Sequence, residues 1–449
     1  MNSNSTIAAV ATSHGIGSIA IVRVSGDKAL EIAKKISKKK SFPPRYATLT
    51  SLYDENEELI DKSIVIYFKA PHSFTGEDII EFQCHGGIIV AKKILDTVIE
   101  YGARLAEPGE FSKRAFLNGK IDLTEAEAIA KLIEAKSEDA AKILAKQLKG
   151  ELKEYIENIR EVLIRILAFA EVNIDYAEED LPIDMAESMK NQLKELKKRL
   201  KNMLESSERR VGLLEGFKIS IIGKPNTGKS SLLNRLLSYE RAIVSDIAGT
   251  TRDTIEENVK IGTHLVRIVD TAGIREAKDE IEKIGIERSI KAIKESDIVI
   301  AMFDSSKEFG DEDEKILELI DSFKEQKDFI IVLNKADLGS SKDIDKVKDF
   351  EPLLLSVKKD ISPLIDRLKK ILDGYAKSDD ILLISKRQIV AIKNALNSIE
   401  AAFEPLDMGE LEIFAYHIND AIRAVASITR PMESSELLDK MFGEFCLGK

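Results

Sequence analysis

Residues 217–234 have the sequence FKISIIGKPNTGKSSLLN, which decides the fold of the surrounding chain. The apolar run from Phe217 to Ile222 predicts a buried strand, and an apolar-periodic helix follows the loop. Gly223 and Gly228 enclose four residues of that loop. Glycines at this spacing let the backbone wrap a polyphosphate, so that N–H groups and the helix N-terminus face the anion. The segment therefore predicts a phosphate-binding loop.

The side chains of this loop suit a nucleotide and its magnesium ion. Lys229 supplies a positive charge at the β- and γ-phosphates, and the Ser230 hydroxyl is placed for Mg²⁺. A plain glycine turn between strand and helix is the alternative, but the complete order of strand, loop and helix argues against it. The residues predicted to contact the nucleotide here are Asn226, Thr227, Gly228, Lys229, Ser230 and Ser231.

Two later apolar segments each end in a motif expected at a nucleotide site. Segment 265–269 predicts a strand, and it is followed by Asp270, Thr271, Ala272 and Gly273. The Asp270 carboxylate can hold Mg²⁺ through water, and the Gly273 amide can meet a γ-phosphate. Segment 329–333 predicts another strand, and it is followed by Asn334, Lys335, Ala336 and Asp337.

The second of these motifs predicts the base. It resembles the guanine-reading motif of the GTPase superfamily, in which a carboxylate, here Asp337, accepts the ring N–H and the exocyclic amine of guanine. Adenine offers no such edge. A loop expected to close over the base follows the strand-like segment 352–355 and consists of Ser356, Val357 and Lys358. Four elements in this order predict GTP binding.

The composition bounds the class of protein. A chain of 449 residues, 44% hydrophobic and 32% charged, is typical of about three globular domains. No apolar run approaches the roughly 18 residues that a membrane span needs, so we expect a cytoplasmic protein without a membrane segment. The net charge of −11 argues against a strong nucleic-acid binder that works alone. Two cysteines, Cys84 and Cys446, predict neither a disulfide framework nor a zinc site.

The regions on either side of the nucleotide motifs differ in their predicted secondary structure. Closely spaced strands and helices before residue 119 predict an α+β domain, with strands at 6–11, 18–24 and 64–68 and helices at 28–36 and 88–101. Farther along, apolar residues recur at steps of three and four and predict helical stripes. The stripe residues are Leu148, Leu152, Ile156, Ile159, Leu163 and Ile166, then Ile389, Ile392, Leu396, Ile399 and Phe403, and finally Leu411, Phe414, Ile418, Ala421, Ile422 and Val425.

Helical blocks on both sides of the nucleotide motifs predict one bundle into which the nucleotide domain is inserted, because each block can bury its stripe against the other. Two separate helical domains are the alternative.

Further motifs extend the pattern along the whole chain. They are SFTGED at 73–78, HGG at 85–87, FLNGK at 116–120, SDIAGTTRD at 245–253 and FCLGK at 445–449. On these motifs the chain is identified as a member of the tRNA modification GTPase MnmE (TrmE) family. The nucleotide motifs alone would fit many GTPases, whereas the first segment and the tail make the resemblance specific.

The resemblance implies a multidomain α/β protein. Its parts would be an N-terminal α+β tetrahydrofolate-binding and dimerisation domain at 1–118, the first part of a discontinuous helical bundle at 119–214, an inserted Ras-like P-loop GTPase domain at 215–374, and the second part of the bundle with the FCLGK tail at 375–449.

The resemblance also implies an activity. Members of the family are potassium-dependent GTPases that act as homodimers with a flavoprotein partner, MnmG (also called GidA), which carries FAD and joins them in a heterotetramer. Together they install an aminomethyl or carboxymethylaminomethyl group at C5 of the wobble uridine of certain tRNAs. The carbon comes from a tetrahydrofolate derivative, 5,10-methylene or 5-formyl. The alternative function is a GTP-switched ribosome or cofactor assembly factor without one-carbon chemistry.

The resemblance assigns the hydrolytic residues. Ile274 stands where Ras-like GTPases have the glutamine that orients water. The family instead binds K⁺ beside the phosphates and uses a glutamate, here Glu282, that acts on the attacking water through a second water. The implied K⁺ ligands are Asn226, Ser245, Ile247 and Thr250, and Thr251 would join Ser230 on Mg²⁺. The nucleotide-contacting loop would comprise Ser245, Asp246, Ile247, Ala248, Gly249, Thr250 and Thr251.

The same resemblance places folate contacts at Arg23, Glu81, Lys120 and Lys449. A carboxylate such as Glu81 can pair with the donors of a pterin ring, and cations can meet the carboxylates of the glutamate tail. Taken singly, each of these residues would more often be a surface charge. Cys446 could be a nucleophile or redox thiol if the tail enters that pocket, or a small apolar filler.

Overall fold

The computed structural model describes residues 5–13, 15–175, 183–239, 257–269, 282–339, 342–376, 381–430, 438, 441–443, 445 and 448, and for 175, 183–185, 282–288 and 342–344 it describes the backbone only. The chain divides into two compact units. Residues 1–130, 147–193 and 390–449 form the first, and residues 131–146 and 194–389 form the second. No helix in the described ranges combines the length and the hydropathy that a membrane crossing requires.

A six-stranded sheet organises the first unit. Its strands are β1 (Ile7–Val10), β2 (Ile19–Ser25), β3 (Thr48–Tyr53), β4 (Leu59–Phe68), β5 (Ile79–His85) and β6 (Arg104–Leu105). They are arranged in the order β3-β4-β5-β2-β1-β6. Neighbouring strands are antiparallel except for the parallel pair of β1 and β6. Successive side chains along each strand face opposite sides of the sheet, as in any β-strand.

Helices cover both faces of this sheet in part. Helix α1 (Ala29–Ser37) and helix α2 (Ile88–Glu100) bury apolar residues in one core with Val22 and Phe82 of the strands. On the other face, Phe111 of helix α3 (Glu110–Leu117) packs against Ile7 and Ala9. The predicted α+β domain is confirmed.

Five helices follow in the described residues between 123 and 215. They are α4 (Leu123–Glu134), α5 (Glu138–Leu148), α6 (Glu151–Asp175), α7 (Ile183–Arg209) and α8 (Val211–Glu215). The predicted stripe that began at Leu148 is wrong at its first residue, because α5 ends there and Gly150, with φ of +83°, turns the chain. The spacing continues across this turn by coincidence, so periodicity alone could not locate it.

The second unit contains a six-stranded sheet in the order β12-β11-β10-β7-β9-β8. Its strands are β7 (Phe217–Ile222), β8 (Glu257–Ile261), β9 (His264–Ile268), β10 (Ile298–Asp304), β11 (Asp328–Asn334) and β12 (Leu353–Leu354). All neighbouring pairs are parallel except β8 and β9. Every residue of β10 is buried, as expected for a central strand with both faces covered.

Helices flank this sheet and place the predicted loop. They are α9 (Lys229–Tyr239), α10 (Glu282–Glu295), α11 (Asp311–Phe323) and α12 (Ser362–Ala376), with 3₁₀ segments at Ala336–Leu338 and Lys342–Phe350. The strand order reverses between β7 and β10, and the loop after β7 opens at this switch point, where doubly wound sheets bind ligands. The predicted nucleotide-binding α/β fold is confirmed.

Helix α5 is tied to the sheet of the second unit through a buried histidine. The ring of His264, at the start of β9, lies between two carboxylates: Nδ1 is 3.0 Å from Asp139 Oδ2 and Nε2 is 2.9 Å from Asp373 Oδ1. The Thr263 hydroxyl donates to the same oxygen of Asp139 at 2.8 Å. Residues 131–146 thus belong to this unit, which their helical pattern did not predict.

Two long helices follow, α13 (Lys386–Met408) and α14 (Leu411–Thr429). In the first unit, α14 packs along α6. Both helices bury their stripes, α6 through Ile156 and Leu163 and α14 through Phe414 and Ile418. Helices from both sides of the nucleotide-binding sequence therefore share one core, which confirms the discontinuous bundle. The predicted domain limits stay predictions.

Described residues of the C-terminal tail approach other parts of the first unit closely at two backbone positions. At Gly109, with φ of +67°, a Cβ atom would lie 2.1 Å from the carbonyl oxygen of Phe442. At Gly448, with φ of +92°, it would lie 2.5 Å from the carbonyl oxygen of Val10. The Phe442 ring is buried in a cluster with Leu123 of α4.

We expect Gly109→Ala to displace this tail. Gly119→Ala is the matched control, because Gly119 has the same φ of +67° and no atom within 4 Å of an added Cβ. Both variants carry the left-handed strain of roughly 1–2 kcal/mol. Only Gly109→Ala should speed amide hydrogen exchange around Phe442, measured by mass spectrometry. Equal exchange in the two variants would contradict the docking.

Candidate functional site

The phosphate loop needs glycine at both of its ends. At Gly223, with φ of +149°, a Cβ atom would lie 2.5 Å from the carbonyl oxygen of Met302. At Gly228, with φ of +107°, it would lie 2.3 Å from the side-chain Nδ2 atom of Asn334. The loop is therefore packed against the ends of β10 and β11, which explains why its curvature cannot accommodate other residues.

Lys229 lies across this loop. Its Nζ donates hydrogen bonds to the carbonyl oxygens of Gly223 at 2.6 Å and Lys224 at 2.8 Å. The Thr227 hydroxyl donates to the same carbonyl of Lys224 at 2.9 Å. Burial lowers the pKa of Lys229 to about 8, and a phosphate at this position would favour the charged ammonium. The loop thus holds its own cation where an anion would bind.

Asn334 joins three of the predicted segments. Its Nδ2 donates to the carbonyl oxygen of Thr227 at 2.7 Å, and its Oδ1 accepts from the backbone N–H of Val357 at 2.9 Å. Its side chain is almost fully buried, so losing either bond would leave a polar group unsatisfied. This one side chain brings the phosphate loop and the segment expected to close over the base into a single site.

Lys335 is fixed by a partner that the sequence pattern missed. Its Nζ is 2.7 Å from Oδ2 of Asp304, the last residue of β10. Although burial opposes it, hydrogen bonds from Lys335 and Ser306 hold the pKa of Asp304 below its usual value. Asp304 is the last residue of the apolar strand β10, whose neighbours β7 and β11 both end in nucleotide motifs. A carboxylate at the end of an apolar segment was the signal by which the sequence could have indicated this residue.

Asp337 and Ser356 also meet in this site. A hydrogen bond from Ser356 lowers the pKa of the Asp337 carboxyl, which is exposed and can therefore accept donors from a ligand. The Ala336 N–H donates to the carbonyl oxygen of Leu355 at 3.2 Å and pins the two segments together. An ionised carboxylate at this position suits the N–H edge of guanine.

Arg235 of α9 holds the far side of the base-closing segment, and sequence analysis missed it. Its Nε donates to the carbonyl oxygen of Val357 at 3.1 Å, and its Nη2 donates to those of Lys358 at 3.2 Å and Lys359 at 2.6 Å. Carbonyl partners leave no mark in a sequence, so no pattern could have indicated this contact.

Three further residues of the loop are not buried. Ser230 and Ser231 lie in the first turn of α9, and Asn226 has a left-handed φ of +65°. Their hydroxyl and amide oxygens are hard donors of the kind that Mg²⁺ and other hard cations take. The donor types of Ser230 and Asn226 therefore fit the predicted magnesium and potassium roles.

Several predicted site residues lie outside the part of the chain that the structure describes. They are Ser245, Asp246, Ile247, Ala248, Gly249, Thr250, Thr251, Asp270, Thr271, Ala272, Gly273, Cys446 and Lys449. Glu282 is the first residue of α10, and the structure describes its backbone but not its side chain. The magnesium and potassium sets and the catalytic role of Glu282 stay predictions.

In the first unit, two predicted folate contacts form a pair with each other. Arg23 of β2 and Glu81 of β5 lie directly opposite in the antiparallel register. Nε and Nη2 of Arg23 are each 2.9 Å from Oε1 of Glu81. The guanidinium carbon lies 5.7 Å from the centre of the Phe111 ring, and Nη1 lies 3.5 Å from the carbonyl oxygen of Gly448. Strand pairing thus orients a half-buried carboxylate beside the tail.

Lys120 lies beside the loop that contains the SFTGED motif. A Cβ atom at Gly76 would be 3.1 Å from Lys120 Cε. Glu77 anchors this loop by accepting from Arg114 Nη1 at 3.0 Å and from the Ser25 hydroxyl at 2.7 Å. Ser25 is two residues beyond Arg23 on β2, so one strand supports both the loop and the ion pair.

Two family models match the chain. The model of the MnmE helical domain matches residues 123–446, and the model of the GTP-binding protein TrmE N-terminus matches residues 6–120.

Full-length relatives are similar throughout. The tRNA modification GTPase MnmE of a Nitratiruptor species is 68% identical over 446 residues and covers 99% of each chain. The protein of the same name from a Sulfurovum species is 60% identical, covering 99% of this chain and 98% of its own. That of Wolinella succinogenes is 52% identical, with the same coverage of 99% and 98%. The chain therefore belongs to the MnmE family of tRNA modification GTPases.

Proposed function

We propose that this protein hydrolyses GTP and, with a flavoprotein partner of the MnmG (GidA) type, modifies C5 of the wobble uridine of certain tRNAs in the cytoplasm. It would act as a homodimer within a heterotetramer in which the partner carries FAD. The observation that carries the nucleotide part of the proposal is the buried Asn334 side chain, which bonds the phosphate loop at Thr227 and the base-closing segment at Val357. Membership of the MnmE family supports the role in tRNA modification.

Guanine selection would depend on Asp337. Its ionised carboxylate would accept from the ring N–H and the exocyclic amine of guanine, while Ser356 holds it in place. Arg235 would keep the adjacent segment in position through three backbone carbonyls. A base without these donors would leave the carboxylate unpaired, and such a mismatch is strongly disfavoured.

Hydrolysis would need a substitute for the missing glutamine, since Ile274 follows the Asp-x-x-Gly motif. Asn226 with Ser245, Ile247 and Thr250 would hold K⁺, whose charge offsets the charge that develops at the phosphates. Glu282 would orient the attacking water through a second water. GTP binding would pair the two nucleotide domains of the homodimer, and hydrolysis would release them.

We expect GTP hydrolysis to rise in K⁺ but not in Na⁺ at matched ionic strength.

Glu282→Ala should lower turnover by about 100-fold or more, as loss of a general acid–base group does, while GTP affinity is kept. Glu295→Ala at the other end of α10 is the control and should behave as wild type, because its contact with exposed Lys291 is 3.9 Å long. Unchanged turnover of Glu282→Ala in potassium buffer would reject the assignment.

A tetrahydrofolate derivative, 5,10-methylene or 5-formyl, would bind near the Arg23–Glu81 pair. The carboxylate would face the donors of the pterin ring, and Lys120 and Lys449 would meet the carboxylates of the glutamate tail. The pairing with Arg23 supports this role, because it orients the Glu81 carboxylate at a half-buried position. Cys446 would serve there as a nucleophile or redox thiol if the tail enters the same pocket.

We expect Glu81→Gln to weaken binding of 5-formyltetrahydrofolate by about tenfold, measured by calorimetry, because a charged acceptor is lost. Glu31→Gln is the control, since Glu31 forms an exposed pair with Lys35 on α1 and should leave affinity unchanged. Absence of binding by the wild-type protein would instead favour an assembly factor without one-carbon chemistry.

The proposed role in tRNA can be tested by mass spectrometry of nucleosides from cells that lack this protein. We expect the C5 modification of the wobble uridine to disappear and to return with the wild-type gene. The Glu282→Ala gene should fail to restore it, because the chemistry would be gated by hydrolysis. Unaltered wobble nucleosides in the deletion strain would overturn the proposed function.

A further inference from the structure

Lys224 of the phosphate loop forms an ion pair that the chemistry above does not use. Its Nζ donates to Oδ2 of Asp313 in the first turn of α11, and the carboxylate side chain is 1% exposed. The same oxygen accepts from the backbone N–H of Gly310 at 3.0 Å and so caps the helix. The other oxygen, Oδ1, is buried without a hydrogen-bond partner among the described residues. Lys224 therefore supplies the countercharge of a buried carboxylate.

The backbone of Lys224 serves the nucleotide site directly. Its carbonyl oxygen accepts from Lys229 Nζ at 2.8 Å and from the Thr227 hydroxyl at 2.9 Å. One residue thus holds α11 with its side chain and the phosphate-binding lysine with its main chain. A shift of Lys224 away from α11 would also move the carbonyl that orients Lys229.

Helix α11 is a firm anchor for this contact. Its Ile316 and Ile320 share a core with Ile293 of α10 and with Ile222, the residue before Gly223. Close-packed cores transmit small shifts because they contain few voids. The loop is therefore linked to α11 twice, through the strand end at Ile222 and through the Lys224 side chain.

We infer that the Lys224–Asp313 ion pair positions Lys229 for the nucleotide phosphates, with α11 as the anchor. Both residues are positioning residues that act through the backbone of the loop. The inference rests on nucleotide binding as proposed above. The ion pair would be a determinant of nucleotide retention located between the phosphate loop and α11.

The test uses the full-length protein and a fluorescent GDP analogue. Asp313→Asn and Lys224→Met should each speed release of the analogue by about tenfold and raise KM for GTP more than they lower kcat, because a buried charge loses its partner and the loop loosens. Glu314→Gln is the matched control on the same helix. Its exposed pair with Lys346 is 3.1 Å long, so release should stay within about twofold of wild type.

A double-mutant cycle separates coupling from general damage. The variant with both changes should release the analogue no faster than either single variant, because the two residues act as one unit. The exchanged pair, Lys224→Asp with Asp313→Lys, should recover part of the slow release. Additive effects, or wild-type release from variants that fold normally by circular dichroism, would overturn the inference.

If Asp313→Asn does not fold, Lys224→Met and the exchanged pair carry the test. Lys224 is the more tolerant of the two positions, because 21% of its side chain is exposed to solvent. Failure of the wild-type protein to retain the analogue would instead overturn the proposed nucleotide function itself.

Discussion

The nucleotide site depends on one buried amide. Asn334 offers a donor and an acceptor on the same side chain, and it uses the first on the phosphate loop and the second on the base-closing segment. These two segments follow β7 and β12, which are not neighbours in the sheet, and β11 lies next to β12. A side chain at the end of β11 can therefore connect them only because parallel strands bring their carboxyl ends to one edge. The Asn334 amide therefore connects the segment expected to bind phosphate with the segment expected to close over the base.

The sequence predicted the elements that can be recognised from residue spacing within one segment. The strand, loop and helix around Gly223, the motif at Asn334 and the helical stripes from Leu152 onward were found where expected, because each depends on spacing within one segment. Asp304 and Arg235 were missed since their partners lie far away in sequence or are backbone carbonyls. The false start of the stripe at Leu148 shows the limit of periodicity, which does not detect a turn of one glycine.

The first unit shows how strand register changes the meaning of predicted residues. Arg23 and Glu81 were expected as separate ligand contacts, and the antiparallel pairing of β2 and β5 places them opposite each other. The sequence analysis did not pair these strands, because a helix and two other strands separate β2 from β5 along the chain. A similar long-range pairing links His264 to carboxylates on α5 and α12. In both cases the partner could be known only after the fold was known.

Helix α9 has a mechanical property that follows from its two ends. Lys229 at its start lies over the phosphate loop, and Arg235, six residues later, grips the base-closing segment. At 1.5 Å per residue these residues are separated by about 9 Å along the axis. A small tilt of this rigid helix would move both contacts at once. Weaker contacts to the phosphates of a bound nucleotide would thereby be accompanied by weaker contacts to its base, so release would be cooperative across the ligand.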